Sequence, residues 1–150
     1  MEAGPETVLN ALSNNEFHIA RDKVQGAIEV SVRELVRATG RLTYEVHATR
    51  YARNLLGVNK SKTEMSVTTY DWDLATRTAS WVFKGGHGER VDIHGTIEIR
   101  ADGEDSVIHD EFIVDVKVPL IGGKVEDLVI REMRKGFGKY AEVVRKHVEG

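Results

Sequence analysis

The stretch "VPLIGGKVEDLVIREM", residues 118–133, joins an extended segment to the longest helical pattern in the chain. Pro119 cannot donate to a β-ladder and therefore ends the preceding strand, and Gly122 and Gly123 permit a sharp reversal. From residue 125 to residue 148 apolar side chains recur every three or four positions, which predicts an amphipathic C-terminal helix of about 25 residues. Because that helix must bury its apolar face, we expect it to fold back across the concave face of a sheet.

The residues before this junction predict an antiparallel sheet. Apolar and polar residues alternate with a period of two, the mark of half-buried strands, in six segments: 27–38, 41–53, 63–72, 77–84, 89–101 and 106–118. Short turns join most of them, and residues 54–61 are interpreted as a loop. Two short helices are predicted at 5–13 and 14–25. The predicted class is α+β: two short helices, a meander of about six strands and one long C-terminal helix.

Composition limits the function. A chain of 150 residues is expected to form one domain over 1–150, large enough for a core and a cavity. The formal net charge is −3 and no basic tract stands out, so no nucleic-acid partner is expected. The N-terminus does not resemble a signal peptide, and no stretch reaches the length of a membrane span. We expect a cytoplasmic protein, monomer or homodimer, without stable membrane insertion.

Neither a metal nor any other cofactor is predicted. The chain has no cysteine, which excludes disulfides and thiolate ligands. Its six histidines show no His-x-His or His-Glu-x-x-His spacing, so a zinc site has little support. Three of them, His47, His94 and His109, fall on the outward parity of different strands. All six, including His18 on the second short helix, are interpreted as solvated surface residues.

The element order and the final junction resemble the START-type helix-grip superfamily (SRPBCC), which includes birch-pollen-allergen-like proteins and polyketide cyclases. The junction is similar to that of a bacterial helix-grip family of unknown function, whose last strand ends in a Val-Pro-Leu-x-Gly-Gly-Lys-x-Glu pattern. The matching residues are Val118, Pro119, Leu120, Gly122, Gly123, Lys124 and Glu126. The resemblance implies that the sheet wraps around the C-terminal helix and that a cavity lies between them.

One feature departs from the family pattern. Helix-grip proteins usually open with a strand before the two short helices, and here only four residues precede Pro5. In the family topology that strand lies beside the last one, 106–118. The last strand carries charged residues such as His109, Glu111 and Asp115 on its outward side, and such charges discourage pairing between edges. We therefore expect an open edge in preference to strand exchange.

Inward-facing polar residues are the candidates for chemistry, because such residues would line the cavity. Strand parity places Asp110 with Ile108 and Phe112, and it places Glu34 with Val36 unless the register slips near Leu35. The predicted ligand-binding residues face the cavity from the strands and from the last helix: Val32, Glu34, Tyr44, Val46, Trp81, Phe83, Ile97, Asp110, Phe112, Met133, Phe137 and Tyr140.

Asp110 has two interpretations. In the first it is a catalytic acid/base or an anchor for a ligand hydroxyl, with Tyr44 or Tyr140 orienting the substrate, since burial tunes a carboxyl toward neutral pH. In the second it lies solvated at the cavity mouth.

Gly136 and Gly138 are unusual inside a helix and suggest either a softened segment that gates a ligand or a helix that tolerates them.

Three functions follow as hypotheses. The leading one is binding, or transport, of a small or elongated hydrophobic molecule such as a lipid, isoprenoid or polyketide-like compound, without catalysis. The second is a metal-independent enzyme of cyclase or hydratase type that uses Asp110 with a tyrosine. The third is a protein-interaction module whose core is filled by its own side chains.

Overall fold

The structure is a computed structural model that describes residues 2–54, 57–85, 91–117 and 122–149. Two short helices, α1 (Pro5–Leu12) and α2 (Asn15–Val24), precede six strands and one long helix, α3 (Gly122–Glu149). The strands are β1 (Glu29–Ala38), β2 (Arg41–Asn54), β3 (Gly57–Asp73), β4 (Thr78–Lys84), β5 (Val91–Asp102) and β6 (Asp105–Val116). No helix within the described ranges is long and apolar enough to cross a membrane.

The strands form one antiparallel sheet in the order β1-β2-β3-β4-β5-β6. The predicted α+β helix-grip arrangement, with a six-stranded meander, a long C-terminal helix and two short N-terminal helices, is confirmed. Each strand pairs with its neighbour in sequence, so β1 and β6 are the two edges. No strand precedes α1 within residues 2–4, and β6 pairs only with β5 among the described residues.

The predicted loop at 54–61 was wrong. β2 continues to Asn54, β3 begins at Gly57, and the backbone pairing includes Ala52 with Asn59. A register shift between Tyr51 and Ala52 separates this tip from the rest of the ladder. The residues at 58–63 are mostly exposed, so they show no alternation between a buried and a solvated face.

The predicted slip in β1 is also present. The register shifts between Glu34 and Val36, so that Glu34 pairs with Tyr44 and Val36 pairs with Thr43. Tyr44 is on the concave face and Thr43 is on the convex face, so Val36, which pairs with Thr43, points away from the concave face. The expectation that Val36 shares an inward face with Val32 was therefore wrong, because the bulge reverses the alternation.

Local sequence explains the turns and helix ends. Gly40 and Gly103 have φ of 77° and 63°, values that favour glycine in two-residue hairpin loops. Asn14 caps α2 by accepting a hydrogen bond from the Glu16 N–H at 2.8 Å. At the far end of the chain, the Glu126 carboxylate in α3 accepts from the Val116 N–H at 2.9 Å.

This last hydrogen bond fixes the start of α3 against the end of β6. Gly122 and Gly123 form the first residues of the helix, and residues 118–121 of the junction lie outside the described residues. α3 then packs along β6 and against α1 and α2.

The hydrophobic core lies at one end of the concave face. Val8, Leu9 and Leu12 from α1 and Phe17 from α2 pack there with Val143 and Val144 of α3 against the sheet. The strand residues in this core are Leu42, Tyr44, Val46, Tyr70, Trp72, Ala79, Ile97 and Ile99. Only the C-terminal part of α3 contributes buried residues, and from Gly123 to Ala141 no described side chain is fully buried.

Gly95 shapes the middle of the concave face. In the sheet it stands between Trp81 of β4 and Phe112 of β6. A Cβ atom at this position would collide with the Glu111 carbonyl oxygen and lie 2.7 Å from Cζ2 of Trp81. The missing side chain therefore allows the Trp81 ring to lie flat across β5.

We expect substitutions at two glycines to change stability in opposite directions. Gly95→Ala should lower the free energy of unfolding by about 2 kcal/mol or more, because the added methyl displaces a large ring against fixed backbone. Gly138→Ala should raise it by about 1 kcal/mol, because α3 has open space there and alanine is the better helix former. Urea denaturation of both variants measures the two effects, and a stable Gly95→Ala protein would contradict this packing.

Candidate functional site

The concave face beyond the core is lined by half-buried apolar side chains. Trp81 and Phe83 on β4 and Phe112 and Val114 on β6 all point to this face and keep part of their surface accessible. Met133 lies two helical turns before Tyr140, on the same side of α3. We call these five residues, Trp81, Phe83, Phe112, Val114 and Met133, the apolar groove. Large apolar side chains that stay half-accessible on a concave surface are typical of a ligand site.

A charged cluster holds α2 to the sheet beside this groove. The Arg21 guanidinium donates through Nη1 to the Tyr70 hydroxyl at 2.7 Å and through Nη2 to the Asp22 carboxylate at 3.0 Å. Its Cζ also lies 5.7 Å from the Tyr70 ring centroid. Arg50 on β2 approaches the same Asp22 oxygen at 3.4 Å. The Arg21 and Asp22 side chains are only 15% and 6% exposed, so this is a largely buried ion pair.

Asp110 lies on the inward side of β6, next to Ile97 of β5, as its parity predicts. Burial raises the pKa of Asp110 to about 6, although the Arg21 charge acts in the opposite direction. Within the described part of the chain its carboxyl group makes no hydrogen bond and no ion pair. Asp110 is therefore a half-buried carboxyl whose oxygens have no hydrogen-bond partner among the described residues.

Tyr140 of α3 lies close to this carboxyl. Burial raises the pKa of Tyr140, and the charge of Asp110 raises it further. Its ring makes edge contacts with Phe17 and a tilted contact with Phe137, at centroid distances of 5.9 and 5.7 Å. Among the described residues the Tyr140 hydroxyl has no hydrogen-bond partner. Asp110 and Tyr140 thus place two polar groups that are unpartnered within the described ranges at the inner end of the groove.

Tyr44 occupies a different environment. Its side chain is 2% exposed, and its hydroxyl contacts Nε2 of His18 at 2.5 Å and accepts from Nε1 of Trp72 at 3.0 Å. The three rings tie α2 to β2 and β3. Of the two tyrosines considered as partners of Asp110, Tyr140 is the one with an unengaged hydroxyl, and a catalytic role for Tyr44 stays a prediction.

The interpretation of His18 as a surface residue was wrong. His18 is 1% exposed and contacts the rings of Phe17, Tyr44 and Tyr70. Burial, with the nearby Arg21 charge, lowers the pKa of His18 well below its usual value, so the ring is neutral at pH 7. Its Nδ1 atom is buried and has no hydrogen-bond partner in the described structure.

Three of the other histidines lie where parity places them. His47, His94 and His109 each pair with an acidic residue two positions away on the outer face of the sheet. His87 lies outside the described residues. Within the described ranges no group of three or more histidine or acidic side chains is arranged to hold a metal ion.

The remaining predicted site residues are distributed between core, groove and surface. Val46 and Ile97 are buried in the core, and Val32 packs against it from β1. Glu34 is exposed at the sheet edge, where its carboxylate accepts from Arg37 at 2.7 Å. Phe137 is 55% exposed, although its ring touches Tyr140. The structure therefore places Asp110 on the same face of the sheet as the groove residues of β4 and β6, with Tyr140 near Asp110, and leaves Glu34 apart.

Arg21 and Asp22 were missed by the sequence reasoning. One signal for them was present: Arg21 follows Phe17 by four residues and Asp22 follows His18 by four, so all four residues share one side of α2. Because Phe17 packs that side of α2 into the core, Arg21 and Asp22, one turn later, also face the interior.

Two open depressions lie elsewhere on the surface. One follows α3 and is lined by Asp127, Ile130, Arg131, Arg134 and Lys135. The other, between α1 and α2, is lined by Asn10, Ser13, Asn14, Asn15, Glu16 and Arg37. Their linings are mostly charged or polar side chains, unlike the aromatic and aliphatic residues of the groove. The groove beside Asp110 is the better candidate.

The fold and this groove define the class as a helix-grip α+β protein. The chain belongs to the family described as "Protein of unknown function (DUF2505)", whose model matches residues 1–148. A search of curated proteins found no match.

Solved structures with a similar fold include proteins with and without a stated activity. TTHA0849 from Thermus thermophilus is 18% identical, with a TM-score of 0.65 over 99% of this chain and 91% of that one. The Zhui aromatase/cyclase from Streptomyces sp. R1128 is 13% identical, with a TM-score of 0.59 over 99% and 88%. The di-domain aromatase/cyclase StfQ from the steffimycin biosynthetic pathway is 12% identical, with a TM-score of 0.59 over 99% and 44%. At these identities the similarity concerns the fold.

We expect Asp110→Asn to stabilise the protein at high pH. The native carboxyl binds its proton more tightly than the unfolded chain does, so wild-type stability falls as the pH rises from about 4 to about 6. Asparagine carries no charge, so the variant should be more stable by about 1–3 kcal/mol at pH 8, and the gain should shrink below pH 6. Urea denaturation at pH 8 and pH 4 measures this.

The matched control is Asp115→Asn, because Asp115 is an exposed carboxylate on the outer side of the same strand. This substitution should change the free energy of unfolding little at either pH. If Asp110→Asn is less stable than wild type at pH 8, favourable interactions stabilise the charged carboxylate in the folded protein, and the prediction is wrong.

A second stability prediction concerns Tyr44. Tyr44→Phe removes the partner of both the Trp72 N–H and His18 Nε2 in a buried site, so it should lower the free energy of unfolding by about 1–3 kcal/mol. Tyr51→Phe, at an exposed position, is the control and should change it by less than about 0.5 kcal/mol. Equal, small effects in both variants, measured by urea denaturation, would argue against the buried network.

Proposed function

We propose that this protein binds a small or elongated hydrophobic molecule, such as a lipid, isoprenoid or polyketide-like compound, in the apolar groove. The observation that carries the proposal is that Trp81, Phe83 and Phe112 keep part of their surface accessible on a concave face whose other end is fully packed. Completing the burial of one such side chain contributes at most about a third of the ~1.5–3 kcal/mol for full burial, about 0.5–1 kcal/mol. A ligand that covers several of them and also buries its own apolar surface gains enough to bind with micromolar affinity after association costs.

The fold comparisons support this proposal. Two of the similar structures are aromatase/cyclases by title, one of them from a biosynthetic pathway, and they share the arrangement of sheet and helix. The same likeness supports our proposal that the chain is a member of the START-type helix-grip superfamily. Because one fold hosts many activities, we infer binding from the groove itself.

A second candidate is a metal-independent enzyme of cyclase or hydratase type. The observation that favours it is Asp110, a carboxyl with a pKa near 6 and no protein partner among the described residues, beside a tyrosine. Such a group accepts a proton from a substrate carbon or hydroxyl, or returns one, near neutral pH. Tyr140 is better placed than Tyr44 to orient the substrate. Loss of turnover in Asp110→Asn with unchanged ligand affinity would favour this candidate over simple binding.

The test of the binding proposal uses two adjacent residues on opposite faces of β6. Phe112 lines the groove, whereas Ile113 is 59% exposed on the outer face. We expect Phe112→Ser to weaken binding of the neutral dye Nile red about tenfold, because the dye loses an aromatic contact. Ile113→Ser should leave the affinity unchanged. Fluorescence titration of wild type and both variants provides the measurement.

Two results would count against the groove. If neither variant alters binding, the dye lies elsewhere on the molecule. If the wild type does not bind the dye at all, the concave face is closed to apolar molecules, and a protein-interaction module becomes the better account.

A further inference from the structure

Two polar side chains, Asp110 and Tyr140, lie at the inner end of the groove. The Asp110 carboxyl and the Tyr140 hydroxyl have no hydrogen-bond partner among the described residues, yet both side chains are more than half buried. Polar groups in such positions are normally paired with protein, water or ligand. A carboxylate only accepts hydrogen bonds, whereas a tyrosine hydroxyl both donates and accepts. Together they match a group that donates to Asp110 and accepts from Tyr140.

The charges around this point are already balanced. Arg21 donates to Asp22 and Tyr70, and Arg50 lies 3.4 Å from the same Asp22. Both cations are thus engaged by Asp22, and the charge of Arg21 also acts on Asp110. Glu64, which is paired in register with Arg50, adds a further negative charge on the neighbouring strand. Among the described side chains the site therefore holds no spare positive charge for an anionic ligand, and Asp110 would repel one.

We propose that the ligand carries a neutral hydroxyl group, alcohol or phenol, which donates to the Asp110 carboxylate and accepts from the Tyr140 hydroxyl while its apolar body lies in the groove. This inference rests on the proposed function, because it assumes an apolar ligand there. The inference restricts the expected ligand class to hydrophobic molecules that carry a hydroxyl group. It also predicts that fatty acids and other carboxylates bind more weakly.

The experiment uses a matched pair of soluble aromatic probes, 2-naphthalenemethanol and 2-naphthoate, which differ in the polar group. Equilibrium dialysis at pH 8 gives the dissociation constant of each for the wild type. We expect the alcohol to bind at least tenfold more tightly than the carboxylate. In Asp110→Asn the alcohol should lose about tenfold in affinity, because a hydrogen bond to a charged acceptor is lost. The carboxylate should gain affinity, because one negative charge has been removed.

Two further variants make the test specific. Glu111→Gln removes the neighbouring carboxylate on the outer face of β6 and should leave the preference unchanged. Tyr140→Phe keeps the ring and removes only the hydroxyl, so it should weaken the alcohol without strengthening the carboxylate. Circular dichroism of each variant confirms that the fold is retained before binding is compared.

The outcomes separate this inference from the proposed function. Equal affinity of the wild type for both probes, with no effect of Asp110→Asn, would overturn the hydroxyl preference while apolar binding stands. Tighter binding of the carboxylate by the wild type would overturn it as well. If neither probe binds and Nile red does not bind either, the groove itself is refuted.

Discussion

The contacts of the Arg21 guanidinium fix the position of α2 on the concave face of the sheet. Its guanidinium is fixed between the Tyr70 hydroxyl at 2.7 Å and the Asp22 carboxylate at 3.0 Å, with Tyr70 and Asp22 on opposite sides of the contact between α2 and the sheet. A largely buried guanidinium that lost either partner would be strongly destabilising, so α2 is held in one position. Phe17 and His18, one turn earlier, are thereby packed against α3 and the sheet, and the face is divided into a filled end and an open groove.

The same contact gives the groove its chemistry. Arg21 is paired on its α2 side, and its charge lowers the pKa of Asp110 by less than burial raises it. The result is a carboxyl with a pKa of about 6 beside a tyrosine, and neither group has a hydrogen-bond partner in the part of the chain that the structure describes. An apolar surface with a few convergent polar groups is the usual composition of a small-molecule site, and here the polar groups lie at one end, where they orient a ligand without covering the aromatic residues.

Much of the fold was accessible from the sequence, because period-two alternation and turn residues specify a meander and the 3.6-residue period specifies the last helix. The parity of β6 placed Asp110 and Phe112 on the inner face correctly. The hairpin tip at 54–61 was not predictable in this way, since strands exposed on both faces lack alternation and are held by backbone pairing to β2. At Val36, the bulge after Glu34 reverses the face of the sheet to which the side chain points. The sequence alternation indicates only that a register shift lies near this position.

The polar interior of the site was less accessible. A histidine, an arginine and an aspartate on a short helix are ordinarily expected to be solvated, and only their spacing from Phe17 indicates that they turn inward. Burial of His18, Arg21 and Asp22 depends on partners from β2, β3 and α3, which are distant in sequence. Tyr44 and Tyr140 look equivalent in the sequence. The Tyr44 hydroxyl is distinguished by its hydrogen bonds with Trp72 and His18, whereas the Tyr140 hydroxyl has no partner among the described residues.

The most direct test of the central claim, an apolar groove that holds a hydrophobic molecule, is native mass spectrometry of freshly purified protein followed by organic extraction. We expect a species heavier than the bare chain by one small apolar molecule, which appears in the extract and is missing from Phe112→Ser protein. A bare-chain mass that persists after incubation with Nile red and with neutral hydroxylated aromatic compounds would contradict that claim.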